Sequence, residues 1–157
     1  MKILFVCASN ICRSPYCEFV FRKMVENDPV LNGKIEVKSS AVFNQMTKIN
    51  DKTRRVLIEE EGLDPVTVDA HVPSYVKNDR ERFDEADVII GMTKFQKVLL
   101  PKRYKKKYIT LSEAAIGKYE SIPDPWLIDD YKEYLKRMLI IKNYLIKYFN
   151  KLKKDFS

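Results

Sequence analysis

The stretch VCASNICRSP, Val6–Pro15, continues the apolar run ILFV and breaks it with a cysteine. Residues 2–6 read as a buried strand, and residues 7–13 as a loop. Ser14 is placed to cap a helix whose first turn holds Pro15, a favoured site because the missing N–H has no partner there in any case. A strand, a short loop and a helix N-terminus, in that order, turn successive backbone N–H groups toward one point. The helix dipole adds positive potential at the same point. The product is a cradle for a phosphate-sized dianion. Arg13 adds a planar fork able to hold two of its oxygens. Cys7 stands at the end of the strand under the same field, which favours the nucleophilic thiolate over the thiol. Anion site and nucleophile therefore share one loop.

Working outward, residues 14–26 form the helix, with Phe19, Val20 and Met24 among its apolar positions, and Asn-Asp-Pro at 27–29 ends it. Residues 34–39 alternate and read as a second strand, and residues 41–49 lack a period and read as a loop. Asn50 or Asp51 starts a helix through Glu61 that Gly62 stops. Residues 66–68 read as a short strand or extended loop, and 75–83 as a short helix. A third core strand covers 87–92, a short helix 94–99 is stopped by Pro101, and a fourth strand covers 108–111. After the loop that holds IPDPW at 122–126, the last helix runs from Leu127 or Asp129 to Lys153. Its apolar stripe is Tyr134, Met138, Ile141, Leu145, Tyr148 and Leu152, spaced by three and four. Strands alternating with helices predict an α/β fold: a central four-stranded parallel sheet with helices on both faces and the phosphate-binding loop after the first strand. Ligands of such sheets bind beyond the carboxyl ends of the strands, where Cys7 lies.

A chain of 157 residues, 45% apolar, fits a single domain over 1–157 with its own core. No apolar run approaches a membrane span, and the first is too short for a signal peptide, so a cytoplasmic location is expected. The three cysteines crowd into the first seventeen residues and cannot staple a fold. Net charge is +7, with lysines dense in 102–107 and on the last helix at Lys142, Lys147, Lys151, Lys153 and Lys154. These read as solvated faces. Without a groove-reading motif, no nucleic-acid partner is expected.

The spacing Cys-x5-Arg-Ser is the signature of cysteine-dependent phosphatases. Together with Val6, Asn10, Cys12 and Pro15, it resembles the loop of the low-molecular-weight protein tyrosine phosphatases. Ser9 replaces the family's usual glycine. The resemblance spans nearly the whole chain. SSA at 39–41, DAH at 69–71 and FDEADVIIGM at 83–92 fall where the family has related strings, with Thr93 in place of its usual acid and a basic residue lost after His71.

The resemblance implies a fold, an activity and roles. Expelling an oxygen leaving group from phosphate is easier if that oxygen is protonated. With a single histidine in the chain, a carboxyl is the donor expected, and the family carries it in an Asp-Pro-aromatic loop, here Asp124-Pro125-Trp126. Cys7, Arg13 and Asp124 are thus the expected catalytic set. Ala8, Ser9, Asn10, Ile11, Cys12 and Ser14 would bind the phosphate, and Phe43 and Trp126 would wall the pocket. Ser40 and His71 would support the loop. Cys12 is either a disulfide partner that protects Cys7 from over-oxidation or a small packing residue. Cys17 reads as helix packing.

The spacing of the cysteines with one distant histidine fits no zinc site, and no metal or cofactor is expected. The expected activity is protein-tyrosine phosphatase, with a phosphotyrosine protein or small aryl phosphate as substrate, inorganic phosphate as product and a monomeric state. Two rivals stand beside it. An arsenate reductase of the same fold would need a distal cysteine pair, and no cysteine follows Cys17. A phosphotyrosine-binding module without catalysis would have little reason to keep Cys7, Arg13 and Asp124 together.

Overall fold

The computed structural model describes residues 1–157. Four parallel strands lie in the order β2-β1-β3-β4: β1 (Lys2–Cys7), β2 (Glu36–Ala41), β3 (Val88–Gly91) and β4 (Tyr108–Thr110). β1 is central, and every residue from Ile3 to Cys7 is buried. Its alternation divides the core. Ile3, Phe5 and Cys7 face α1 (Arg13–Glu26) and the C-terminal helix, while Leu4 and Val6 face a smaller cluster with Phe83, Ile89 and Tyr104. A strand covered on both faces reads as a continuous apolar run, as ILFV does.

From β1 the chain adds β2 on one side, then crosses to add β3 on the other. The order reverses between β1 and β3, and the carboxyl ends there open a crevice. Between β2 and β3 lie α2 (Asp51–Arg55), which widens into a π turn over Val56–Glu60, then α3 (Pro65–Asp69) and α4 (Glu81–Glu85). α5 (Lys94–Leu99) and a 3₁₀ turn (Lys102–Lys107) lead to β4, and α6 (Leu111–Ile116) follows it at once. The last helix, α7 (Tyr131–Phe156), buries the stripe read from the sequence, from Tyr134 to Leu152. Tyr148 stacks on Phe21, with ring centroids 5.5 Å apart, and so presses α7 onto α1. Two lysines of its outer face are not merely solvated: Lys142 pairs with buried Glu61 and Lys153 with buried Asp28, each at 2.8 Å.

Several local expectations are corrected. Residues 66–68 are helical, because the Asp64 side chain accepts from the Val66 N–H at 3.0 Å and Pro65 takes the first helical position. Residues 75–80 are not helix. Tyr75 bridges to Ala41 at the edge of β2, and α4 starts only at Glu81. Leu111 belongs to α6 rather than to β4, since Thr110 and Glu113 form a capping box. Cys12, not Ser14, occupies the cap position of α1, and the Ser14 side chain has another use.

Candidate active site

The loop after β1 turns its carbonyls away from the crevice. Those of Cys7, Ala8 and Ile11 accept the N–H groups of Val42, Phe43 and Asn50 at 3.0 Å each, and that of Asn10 meets the His71 Nε2 at 3.0 Å. The backbone N–H groups of residues 8–12 donate to no protein acceptor. They are a run of unused donors in the loop that lines one cavity with Cys7. Arg13 is 4% exposed, and its Nε is buried without a partner. Its Nη1 donates to the Ile122 carbonyl at 2.7 Å, and its Nη2 lies 3.3 Å from the Asp124 Oδ2. A buried cation with an unsatisfied N–H, beside a row of free amides, calls for an anion.

Asn10 holds this loop in shape. At φ +59° it is the only non-glycine residue in the left-handed region, and asparagine tolerates that region well. Ser9 is not in the positive-φ region, so the position does not call on glycine's left-handed freedom. The Asn10 Nδ2 donates to the Ser14 Oγ at 2.9 Å and to the Ser39 Oγ at 2.8 Å, and its Oδ1 accepts from the Ser74 N–H at 3.0 Å. The Ser39 hydroxyl is committed as a donor to Glu18. Ser14 already accepts from Asn10, which leaves its proton for the Cys7 sulfur, 2.9 Å away. The Ser14 N–H points at the same sulfur at 3.4 Å. Asn10 and Ser14, expected among the phosphate-binding residues, are thus fully buried behind the loop through their side chains. Ser40, expected to support the loop, stands one step out. It bonds the Ser74 hydroxyl at 2.9 Å, and its neighbour Ser39 makes the contact to Asn10.

The crevice is a cavity of about 340 Å³ with Cys7 and Arg13 in its lining. Ala8, Ser9, Ile11 and Cys12 line it from the loop, and Phe43, Asp124 and Trp126 line it from outside. Asn44 and Met46 complete the wall. Neither was singled out from the sequence, since 41–49 carries no periodic signal. Phe43 and Trp126 are more than half exposed, large apolar faces held at the mouth. Asp124 is the only carboxylate in the lining. Its Oδ1 accepts the Trp126 N–H at 3.1 Å, which aims the other oxygen at Arg13.

All three cysteines are free. Burial pushes the Cys12 thiol up to about 11, and burial raises Cys17 well above its ordinary value too. Both therefore stay protonated at neutral pH. No group of three or more His, Cys, Asp or Glu side chains is placed to hold a metal ion. No helix is long and apolar enough to cross a membrane.

Comparison with known proteins places this geometry. Residues 2–157 match the family described as low molecular weight phosphotyrosine protein phosphatase. A protein-arginine-phosphatase of Bacillus subtilis (strain 168) is 30% identical over 160 residues, covering 99% of each chain. The low molecular weight protein-tyrosine-phosphatase PtpB of Staphylococcus haemolyticus is 28% identical, over 90% of this chain and 94% of that one. Among solved structures, a mutant of the YwlE arginine phosphatase with a phosphorylated active-site serine superposes with a TM-score of 0.83 at 27% identity, over 99% of this chain and 97% of that one. The chain belongs to the low molecular weight phosphotyrosine protein phosphatase family.

Proposed function

We propose that this cysteine-based phosphatase hydrolyses phosphotyrosine in proteins, with Cys7 as nucleophile, Arg13 as phosphate ligand and Asp124 as general acid. The observation that carries the chemistry is the loop itself: its N–H groups over residues 8–12 and the Arg13 Nε have no protein partner, and its residues line one cavity with Cys7. Bound phosphate satisfies these donors with its three equatorial oxygens, and the same donors follow the charge as it shifts in the transition state. The Cys7 thiolate attacks phosphorus in line. An S–P bond forms, the P–O bond to the phenol breaks, and protonated Asp124 gives its proton to the departing oxygen. Asp124, now a carboxylate, takes a proton from water as that water attacks the cysteinyl-phosphate. Inorganic phosphate leaves, and the Cys7 thiolate is restored with the Ser14 hydroxyl donating to it. A phosphorylated serine at the active site of a mutant YwlE supports such a covalent step.

The walls favour tyrosine as the residue that carries the phosphate. Ile11, Phe43, Met46 and Trp126 give the mouth apolar faces on which a phenyl ring can stack. A second reading, phosphoarginine, is favoured by the relatives named arginine phosphatases. Against it, a guanidinium leaving group would seek carboxylates, and the one present already faces Arg13.

The test is hydrolysis of a phosphotyrosine peptide and of a phosphoarginine peptide by wild type, Cys7→Ser and Asp124→Ala. Phosphotyrosine turnover that Cys7→Ser abolishes and Asp124→Ala lowers about a hundredfold or more is expected. Preferential turnover of phosphoarginine would replace the tyrosine assignment and keep the mechanism. Binding of vanadate by wild type without turnover of either peptide would leave a binding module.

A further inference from the structure

From Gly117 to Asp130 the chain carries the acid through a stretch with no regular element. A carboxyl on such a loop protonates a leaving group only if the loop has a fixed register. Two residues before Asp124, Ile122 is fixed at both ends of its own backbone. Its N–H reaches the Met92 carbonyl at 3.2 Å, just beyond β3, and its carbonyl accepts from Arg13. The stretch before it has two exposed side-chain ties, the Lys94 N–H to the Tyr119 hydroxyl at 3.2 Å and the Tyr144 hydroxyl to the Glu120 carboxylate at 2.6 Å, but its backbone is tied by one buried hydroxyl. Ser112, in the first turn of α6, is wholly buried. Its Oγ accepts the Glu120 N–H at 2.8 Å and donates to the Glu120 carbonyl at 3.0 Å. Gly117, at φ +69°, ends α6 and turns the chain back so that Glu120 can reach that hydroxyl.

We infer that Ser112 is a positioning residue for proton donation by Asp124. The serine closes both backbone groups of Glu120 with one side chain, as a partner strand would, and so fixes the start of the five-residue run that ends at the acid. It touches neither the cavity nor the loop of residues 7–13. Its removal takes their shared partner from a donor and an acceptor of the peptide chain in part-buried contacts, and the stretch leading to the acid loses that tether. A shift of a fraction of an ångström at Asp124 harms proton transfer more than phosphate binding, because the phosphate is held by other residues.

This inference rests on Asp124 as the acid, and the test separates the two. kcat/KM reports all steps up to expulsion of the phenol. It is measured for p-nitrophenyl phosphate, whose leaving group departs unaided, and for phenyl phosphate, whose leaving group needs the proton. The ratio of the two within one preparation does not depend on the fraction of folded enzyme, so a partly unstable variant remains informative. Ser112→Ala is expected to lower phenyl phosphate relative to p-nitrophenyl phosphate about tenfold, and Asp124→Asn about a hundredfold. A wild-type ratio in Ser112→Ala beside a collapsed ratio in Asp124→Asn overturns the role of Ser112 and leaves the acid in place. A wild-type ratio in Asp124→Asn overturns the acid, and the role of Ser112 with it.

Discussion

Replacement of Asn10 is the sharpest test of how the loop is held. The residue is fully buried, and its side chain makes three hydrogen bonds, to Ser14, Ser39 and the Ser74 N–H. Asn10→Ala removes all three. Each is worth on the order of 1 kcal/mol net. Ser39 still donates to Glu18, and Ser14 still has the Cys7 sulfur, so neither is orphaned. The Ser74 N–H is orphaned, which costs a further ~1–2 kcal/mol. Alanine at φ +59° adds about 1 kcal/mol of backbone strain that asparagine largely avoids. The expected loss is about 5–6 kcal/mol, a large share of the ~5–15 kcal/mol that holds a domain folded.

Asn10→Gly loses the same bonds without the strain, and is expected to stand about 1 kcal/mol above Asn10→Ala. Urea unfolding followed by far-UV circular dichroism reads both values, provided the m-value stays that of wild type. A cost below ~1 kcal/mol for Asn10→Ala would refute this account of the loop, since the hydrogen bonds alone exceed it. So would a glycine variant no more stable than the alanine one, because the left-handed backbone would then carry no strain.

Three further outcomes rest on particular contacts. Ser14→Ala removes a donor 2.9 Å from the sulfur that, in the proposed mechanism, leaves phosphorus in the second step. It is expected to lower kcat about tenfold to a hundredfold and to let cysteinyl-phosphate accumulate in rapid-quench experiments, while equal loss in both steps would count against it. Burial raises Cys12 to about 11, so the folded state keeps that proton longer than the unfolded state does. Its contribution is present below the unfolded value near 9 and is lost as pH rises toward 11, so the urea midpoint should fall across that window and fall less in Cys12→Ala. A Cβ on Gly91 would lie 2.0 Å from the Tyr108 hydroxyl and 2.5 Å from its ring. Gly91→Ala is expected to destabilise by about 1–3 kcal/mol, and by less when Tyr108 is also cut to alanine, as a double-mutant cycle would read.

The machinery was legible in the sequence where it is local. Cys7, Arg13, Ser14 and Pro15 lie within nine residues, and a strand end followed by a helix start fixes their relation. The stripe of α7 was legible for a similar reason, since one long period settles which face is buried. What failed depended on distant partners or on short signals. Ser39 and Ser40 are neighbours on β2 and point to opposite faces. Only the pairing of Ser39 with Phe5 decides which of them meets Asn10, and no local pattern encodes that register. The short helices α3 and α6 were missed because their marks are two-residue or four-residue caps, Asp64-Pro65 and Thr110 with Glu113, rather than a period.

The same division explains why the reaction is easier to read than its substrate. Any phosphorylated residue presents the same three oxygens to the loop, so Cys7 and Arg13 carry no record of the group esterified to the phosphorus. Discrimination falls to the walls, and apart from Ile11 these come from two loops, 43–46 and 124–126, with no periodicity to betray them. Their chemistry is one-sided. Ile11, Phe43, Met46 and Trp126 offer apolar area, and the single carboxylate, Asp124, faces Arg13. A flat neutral ring gains from every one of those surfaces. A cationic guanidinium would lose its hydration against them and would have to compete with Arg13 for its only counter-charge. The proposed preference for a phenolic ester thus rests on what the mouth lacks as much as on what it holds, and adding a carboxylate at Phe43 or Met46 is the change most able to reverse it.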